Sequence, residues 1–515
     1  MEFVISGFLI AALSGGPAFA QIQDGNLVGT IVDATGAAIP NAAIEIENAA
    51  TGVRTSVVAD AAGFYRFNNL LVGAYRVSIS ASGMAPVSRI VEVELNKTAT
   101  ANITLSVGGV TQEVTVTEAA ALIDTTTPQV TNTYSNQMIV NSPLTANPVA
   151  GGVYNASLMG AGVASAGGVG VGVGPAVGGQ RPRNNNFTVE GSDNNKKDVT
   201  GNVVDVPIDA IKEFSVLQNQ FSAEFGHSSG GQFNIVLQGG TNDVHGSVYE
   251  YFQNRALNAF DQAAKRQATP GTPLTKPRYD QSYAGADIGG PIIKNKLFYF
   301  GAGDYNPLGQ ASTPSAIRSA PTAQGYALLD TIAGLSKTNL GILKQYVLPA
   351  PSQTQTTPVC SVSAVPCPAG SIVNVPLGTF QILAPNWQNE YRWLTSIDFQ
   401  QSEKNQWRGR YVGNRIDVID TNNGGTSLPV FFLLRPIRAT LISIGEFHTF
   451  SPTVINEVRL AFNRYTSIIS SGNFKYPVWT SFQTCRYSKT SICRSARMHS
   501  LRRRRFKAHI SSPTI

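Results

Sequence analysis

At 515 residues, with 14% charged side chains, 49 glycines and a mean hydropathy of −0.03, the chain is too long for a single core and too poor in charge for an ordinary cytosolic enzyme. It suits roughly two to four domains of exported β-structure. The net charge of +7 does not describe a nucleic-acid surface, because residues 481–515 hold nine Lys or Arg and no Asp or Glu, which leaves the rest at −2.

Residues 1–20 form an apolar run ending in Ala18-Phe19-Ala20 before Gln21, the small-x-small pattern of a signal peptide; the competing reading is a buried N-terminal helix. No other segment approaches the ~18 apolar residues that a membrane helix needs. Any membrane crossing must therefore use strands.

From Gln21 to Val107 the pattern has period two. Tyr75, Val77, Ile79 and Ala81 alternate with Arg76, Ser78, Ser80 and Ser82, and Ala99, Ala101, Ile103 and Leu105 with Thr100, Asn102 and Thr104. Turn signals at Thr35-Gly36, Thr51-Gly52, Ala62-Gly63 and Ser82-Gly83 cut it into roughly seven short strands, a Greek-key β-sandwich over residues 21–107. The words Gly29-Thr30-Ile31-Val32-Asp33, Ile39-Pro40-Asn41-Ala42, Gly63-Phe64-Tyr65 and Gly73-Ala74-Tyr75 resemble the carboxypeptidase-regulatory-like (transthyretin-like) domain. The segment has no His and no HxxE ligand set, so the expected role is non-catalytic.

Residues 108–120 read as a linker carrying the β-competent run Glu113-Val114-Thr115-Val116-Thr117; a last sandwich strand is the plain alternative. The Gly-Val repeat before residue 178 lacks the Lys-Ser/Thr of a phosphate loop.

The stretch 179–246 is polar, rich in Gly and Asn, and built of short strand runs at Phe187–Glu190, Glu213–Gln218 and Gln232–Gln238. Its words are Gly179-Gln180-Arg181, Asn186-Phe187 with Gly191, Asp209-Ala210-Ile211 with Glu213-Phe214, Glu224-Phe225-Gly226, Gly230-Gly231, and Gly240-Thr241-Asn242 followed by His245-Gly246. In that order they resemble the plug domain of TonB-dependent outer-membrane receptors, which places a mixed α/β plug at 121–242. The resemblance implies that these residues fix turns and packing, and makes Glu113–Thr117 the candidate contact for the periplasmic TonB C-terminal domain by strand addition to a sheet edge. Gly226-His227-Ser228-Ser229-Gly230 also fits a hydrolase elbow, but that motif needs a helix downstream, and Gln232–Gln238 reads as a strand.

Beyond His245 come longer alternating runs with aromatics: Gly246–Asn254, Tyr283–Pro291, Lys296–Tyr305, Arg392–Gln401, Asn405–Asn414, Thr440–Phe450 and Asn456–Tyr465. Their length of about ten residues suits transmembrane β-strands, giving a partial antiparallel barrel over 243–475, with Ala311–Pro385 as a long extracellular loop. Cys360 and Cys367 could close a loop disulfide there. Neither their spacing nor that of Cys485 and Cys493 suits zinc, and no cofactor is expected. Receptors of this kind close about twenty-two strands. Residues 476–515 read as an aberrant basic tail, so the chain is expected to be truncated within its barrel and inactive as such.

The fold class expected is mainly β: Greek-key sandwich, mixed α/β plug and partial transmembrane barrel. The partners expected are TonB, outer-membrane lipid and an unknown extracellular ligand, with no nucleic acid. The location expected is the outer membrane of a Gram-negative-type bacterium, with the sandwich in the periplasm. The alternative function is a secreted or surface adhesin or glycan-binding protein without transport.

Overall fold

The computed structural model describes residues 24–108, 129–142, 152–165, 174–197, 201–219, 228–260, 278–314, 318–333, 335–362, 370–380, 383–420, 433–451 and 454–469, with the isolated residues 221, 226, 265, 266, 276 and 368. The signal-peptide residues, Glu113–Thr117, Glu224, Cys367 and the basic tail lie outside them.

Eight strands build the sandwich: β1 (Gly25–Asp33), β2 (Ala43–Asn48), β3 (Arg54–Val58), β4 (Phe64–Leu70), β5 (Gly73–Ser80), β6 (Val87–Val93), β7 (Thr98–Thr100) and β8 (Ile103–Leu105). One sheet runs β3-β2-β5-β6; the other places β4 on one side of β1 and β7 and β8 on its other side. The alternating residues meet between the sheets, where Leu27, Ile31, Ile44, Ile46, Tyr65, Val77, Ile79 and Leu105 are buried. Turns are set by side chains: the Asp33 carboxylate accepts the Thr35 and Ala37 amides, and Asp60 those of Ala62 and Phe64, with Gly36 and Gly63 at positive φ. The stretch read as one alternating run, 98–107, is two strands. The Ala101 amide bonds the Val28 carbonyl, and Asn102 Oδ1 accepts the Thr30 amide and hydroxyl, so β7 and β8 both run parallel to β1 around this kink.

The middle sheet has the order β13 (Ser192–Asp193), β12 (Asn186–Val189), β15 (Gln232–Leu237), β14 (Ile211–Asn219), β9 (Val130–Ser135). A two-residue hairpin, β10 (Val163–Ala164) with β11 (Ala176–Val177), and a short helix α1 (Asn136–Asn141) flank it. On one face Phe187 stacks on Phe233 at 5.2 Å and Tyr154 meets Phe187 edge-on at 4.9 Å. That core continues into Phe300, Leu394, Val412 and Leu441 of the next sheet.

The next sheet is an antiparallel meander of seven strands, here called the wall: β16 (His245–Asn254), β17 (Tyr279–Ile293), β18 (Leu297–Pro314), β22 (Leu383–Ser402), β23 (Asn405–Asp420), β24 (Leu433–Ser451) and β25 (Val454–Ser467). All seven expected runs are strands, several extended well beyond ten residues. Phe298, Phe300 and Ala302 face the middle sheet, as their alternation with Leu297, Tyr299 and Gly301 requires. The opposite face is apolar: Val248, Phe252, Ile397, Ile442, Leu460 and Phe462 are exposed. Trp407 and Tyr411, also exposed, lie on this face, and Tyr305 stacks on Tyr391 at 4.6 Å toward the other end. Such a band flanked by aromatics suits lipid. No helix among the described residues is long and apolar enough to cross a membrane. Among the described residues β16 and β25 do not pair, so the sheet is open.

The segment read as an extended loop holds regular structure between β18 and β22. Three strands, β19 (Arg318–Pro321), β20 (Gln355–Cys360) and β21 (Ile372–Phe380), pair in the order β19-β21-β20 beside α2 (Ala323–Thr331) and α3 (Lys337–Tyr346). The helices start at Thr322 and Ser336, whose hydroxyls accept the Gly325 and Asn339 amides. The loop reading weighed the Pro, Thr and Ser content and overlooked these caps.

In the sandwich, the buried Tyr65 hydroxyl donates to the Ala101 carbonyl at 2.6 Å. Tyr65→Phe leaves that carbonyl unpaired and is expected to cost about 1–2 kcal/mol. Hydrogen exchange of β1 and β4 amides in the full chain measures it, and exchange as slow as in the parent would refute it.

Candidate functional site

The middle sheet has two interfaces, one with the wall and one with the sandwich. Wall strands alternate, so every second side chain faces inward, and many of these are charged: Asp304, Glu390, Arg392, Asp398, Arg408 and Arg410 are all buried. Buried charges persist only when paired. Arg392 pairs with Asp304 at 2.9 Å and lies over the Tyr283 ring. Arg410 pairs with Asp398 at 2.8 Å within the wall and with Glu190 of the middle sheet at 2.7 Å.

Glu190 reaches Arg410 because the chain turns tightly there: Glu190 has φ 44° and Gly191 φ 72°. Gly191 lies in the left-handed region that favours glycine, and a Cβ there would meet the end of the Arg459 side chain of β25. Glu190 Oε1 also accepts the Leu237 amide, tying the turn to β15. Nearby, Asn414 Oδ1 accepts the Asp205 amide while its Nδ2 donates to the Asp205 carbonyl, at 2.8 and 2.7 Å, and Asn463 donates to the Asp193 carbonyl. Asp209 accepts from Tyr251, whose ring stacks on Tyr283 at 5.6 Å.

The second interface lies at the end of the wall with the short turns, residues 293–297, 402–405 and 451–454. The Glu213 carboxylate accepts the Leu95 amide at 2.9 Å, Asn96 donates to the Ser215 hydroxyl at 3.0 Å, and Lys212 Nζ donates to the Val72 carbonyl. Val72, Leu95 and Val236 form a small dry cluster between them. Arg408 of β23 pairs with Asp24 at 2.8 Å and lies over the Phe447 ring at 4.1 Å. Burial raises the Glu213 carboxyl to about 7, against the opposing pull of the Leu95 amide and of Lys212 and Lys97, with Glu94 reinforcing the rise.

The motif residues from the sequence fall mostly at turns and joints. Gly179 has positive φ, Gln180 accepts from the Asn184 side chain, and the Arg181 carbonyl accepts the Asn184 amide. Asn186 donates to Gln232, the Ala210 carbonyl accepts the Gln238 amide, and Phe214 is in the core. The Gly226 carbonyl accepts from Gln232, and the Gly230 amide bonds the Asn184 carbonyl and Ser228 Oγ. The Gly231 carbonyl accepts the Asn186 amide. Ser228 also donates to the Asn184 carbonyl, so the serine of the hydrolase-like word closes a turn. Gly240 abuts the Tyr299 and Gly290 backbones, Gly246 that of Asp287, and Thr241 bonds the Asp243 carbonyl beside His245. Asn242 joins three bodies: its amide and side chain bond Ala50 and Thr51 of the sandwich, and its Oδ1 accepts the Asn295 amide of the wall. Cys360 is disulfide-bonded. Sequence reasoning missed Asp24, Leu95 and Arg408; the arginine was detectable as a charge on the inward register of a strand.

Residues 26–106 match the family described as carboxypeptidase regulatory-like domain, and residues 236–488 that described as outer membrane beta barrel domain. Over 303 residues the chain is 27% identical to the TonB-dependent transporter Oar of Myxococcus xanthus, covering 57% of this chain and 28% of that protein. Over 127 residues it is 28% identical to the probable TonB-dependent siderophore receptor PirA of Acinetobacter baumannii, covering 24% of this chain and 14% of that protein. A ferric enterobactin receptor structure from Pseudomonas aeruginosa aligns with a TM-score of 0.38 and 12% identity, over 65% of this chain and 41% of the other. The chain is an outer-membrane β-barrel protein with an N-terminal carboxypeptidase regulatory-like domain. It is similar over part of its length to TonB-dependent transporters and spans about a quarter of the length of the Oar relative.

Gly191→Ala is expected to strain the 190–191 turn at its positive φ, loosening Glu190 from Arg410 and raising protease cleavage of the middle sheet; parental resistance would refute this. Between the ordinary carboxyl value of 4.5 and about 7, folded Glu213 holds a proton that the unfolded chain has released. Its contribution to stability therefore falls as pH rises through that window, by up to about 1.4 kcal/mol per unit. Denaturant titrations at several pH values are expected to show this decline, and Glu213→Gln to flatten it.

Proposed function

We propose that the chain acts in TonB-dependent uptake of a ligand across the outer membrane, with the middle sheet as the plug. The observation that carries this reading is a small mixed sheet held against the inner, charge-bearing face of a lipid-suited wall by paired charges and reciprocal amide bonds. The names of the relatives support the same reading. The parts proposed are a signal peptide at 1–20, the sandwich at 21–107, a linker at 108–120, the plug at 121–242 and barrel strands at 243–475. Short turns in outer-membrane barrels face the periplasm and long loops the exterior. The sandwich bonds to the short-turn end through Asp24 on Arg408, which supports a periplasmic position, while the insert containing α2 and α3 belongs to the long-loop end and the ligand side. A Cys360–Cys367 bridge would staple that insert.

In this reading the TonB C-terminal domain adds Glu113–Thr117 to a sheet edge and pulls. Strand addition depends on backbone N–H groups, and proline supplies none. Val114→Pro in the full chain is therefore expected to abolish TonB binding while leaving outer-membrane fractionation unchanged. Parental affinity in that variant would place the contact elsewhere.

A further inference from the structure

The sandwich touches both of the bodies that a moving plug would have to separate. It bonds the middle sheet through Leu95 to Glu213 and Asn96 to Ser215, and it bonds the wall through Asp24 to Arg408. At Asn242 all three meet, because one asparagine bonds the Ala50 and Thr51 carbonyls of the sandwich and the Asn295 amide of the wall. The fit is close: a Cβ on Gly52, at φ 66°, would lie 2.5 Å from Asn295 Oδ1 and 2.8 Å from Asn242 Nδ2.

A domain on a loose tether does not bury charge against its neighbour. Here the Arg408 and Asp24 side chains are only 6% and 9% exposed, and half-buried Lys212 sets its ammonium on the Val72 carbonyl. Withdrawing the sandwich leaves Arg408 without its 2.8 Å partner and the Glu213 carboxyl without the Leu95 amide. Each is a buried polar group whose loss of partner is costly.

We propose that the N-terminal sandwich is a clamp: docked on the short-turn mouth, it locks the middle sheet to the wall, and the middle sheet moves only after the sandwich has let go. The proposal rests on the plug reading above and adds a step to it. The clamp is a safeguard against leakage, since the contact that resists plug movement is remote from the ligand side.

The test uses Asn96→Cys with Ser215→Cys in the full chain, reconstituted in liposomes. A short bismaleimide is expected to cross-link the two thiols within one chain; two reactive thiols that fail to cross-link overturn the docking. Asp24→Ala with Asn242→Ala is then expected to lower cross-linking and to raise proteolysis of the middle sheet about tenfold, as local opening governs cleavage. Adding the cross-link to that double variant is expected to restore protection. Unchanged protection after undocking overturns the clamp. Should the double variant lose its β-sheet circular dichroism, Asp24→Asn, nearly identical in shape, replaces it with the same expected direction. None of these readouts needs ligand or TonB, whereas the plug reading fails through TonB binding, so the two failures are distinguishable.

Discussion

A β-wall that faces lipid on one side has to place its polar residues on the other, and each charge placed there needs a partner out of water. The rest of the architecture follows from that pairing. Arg410 is satisfied by Asp398 beside it and by Glu190 from the middle sheet, and Arg408 by Asp24 from the sandwich. Two arginines two positions apart on one strand thus reach two different domains. The wall without its occupants would carry unpaired charge, and the occupants without the wall would do the same.

Hydrophobic contact supplies adhesion while polar contact supplies position. The cluster around Phe187, Phe214 and Phe233 continues into Phe300, Leu394 and Val412 without directional preference. Orientation comes from the bonds that tolerate no slip: the reciprocal pair between Asp205 and Asn414, and the Glu190–Gly191 turn against Arg459.

Much of this was legible in the sequence, for physical reasons. Period-two alternation survives in any sheet with unlike faces, so the seven wall strands could be read directly, whereas which face of each turns inward could not. Turn residues were equally visible, since Gly36, Gly63 and Gly191 adopt backbone angles few other residues accept. Three features were not. The kink dividing β7 from β8 depends on Asn102 bonding Thr30, a partner far away in the chain. The insert with α2 and α3 was hidden because loop-like composition masked two capping hydroxyls. The inter-domain contacts were invisible because a sequence reports that Arg408 needs a partner and is silent on which acid comes near; Asp24 had no local signal at all.

The pairing of Asp24 with Arg408 joins positions 384 residues apart. Apart from β18 with β22, which pair across the insert, wall strands pair with their neighbours in the chain, so most of the wall can be laid hairpin by hairpin, and the sandwich packs its core from its own residues. Docking is different, because its landing surface does not exist until β23 and the turn at Asn295 are both in place. A domain that lies early in the chain is therefore among the last to find its seat. Its seating depends on the wall having been assembled in register.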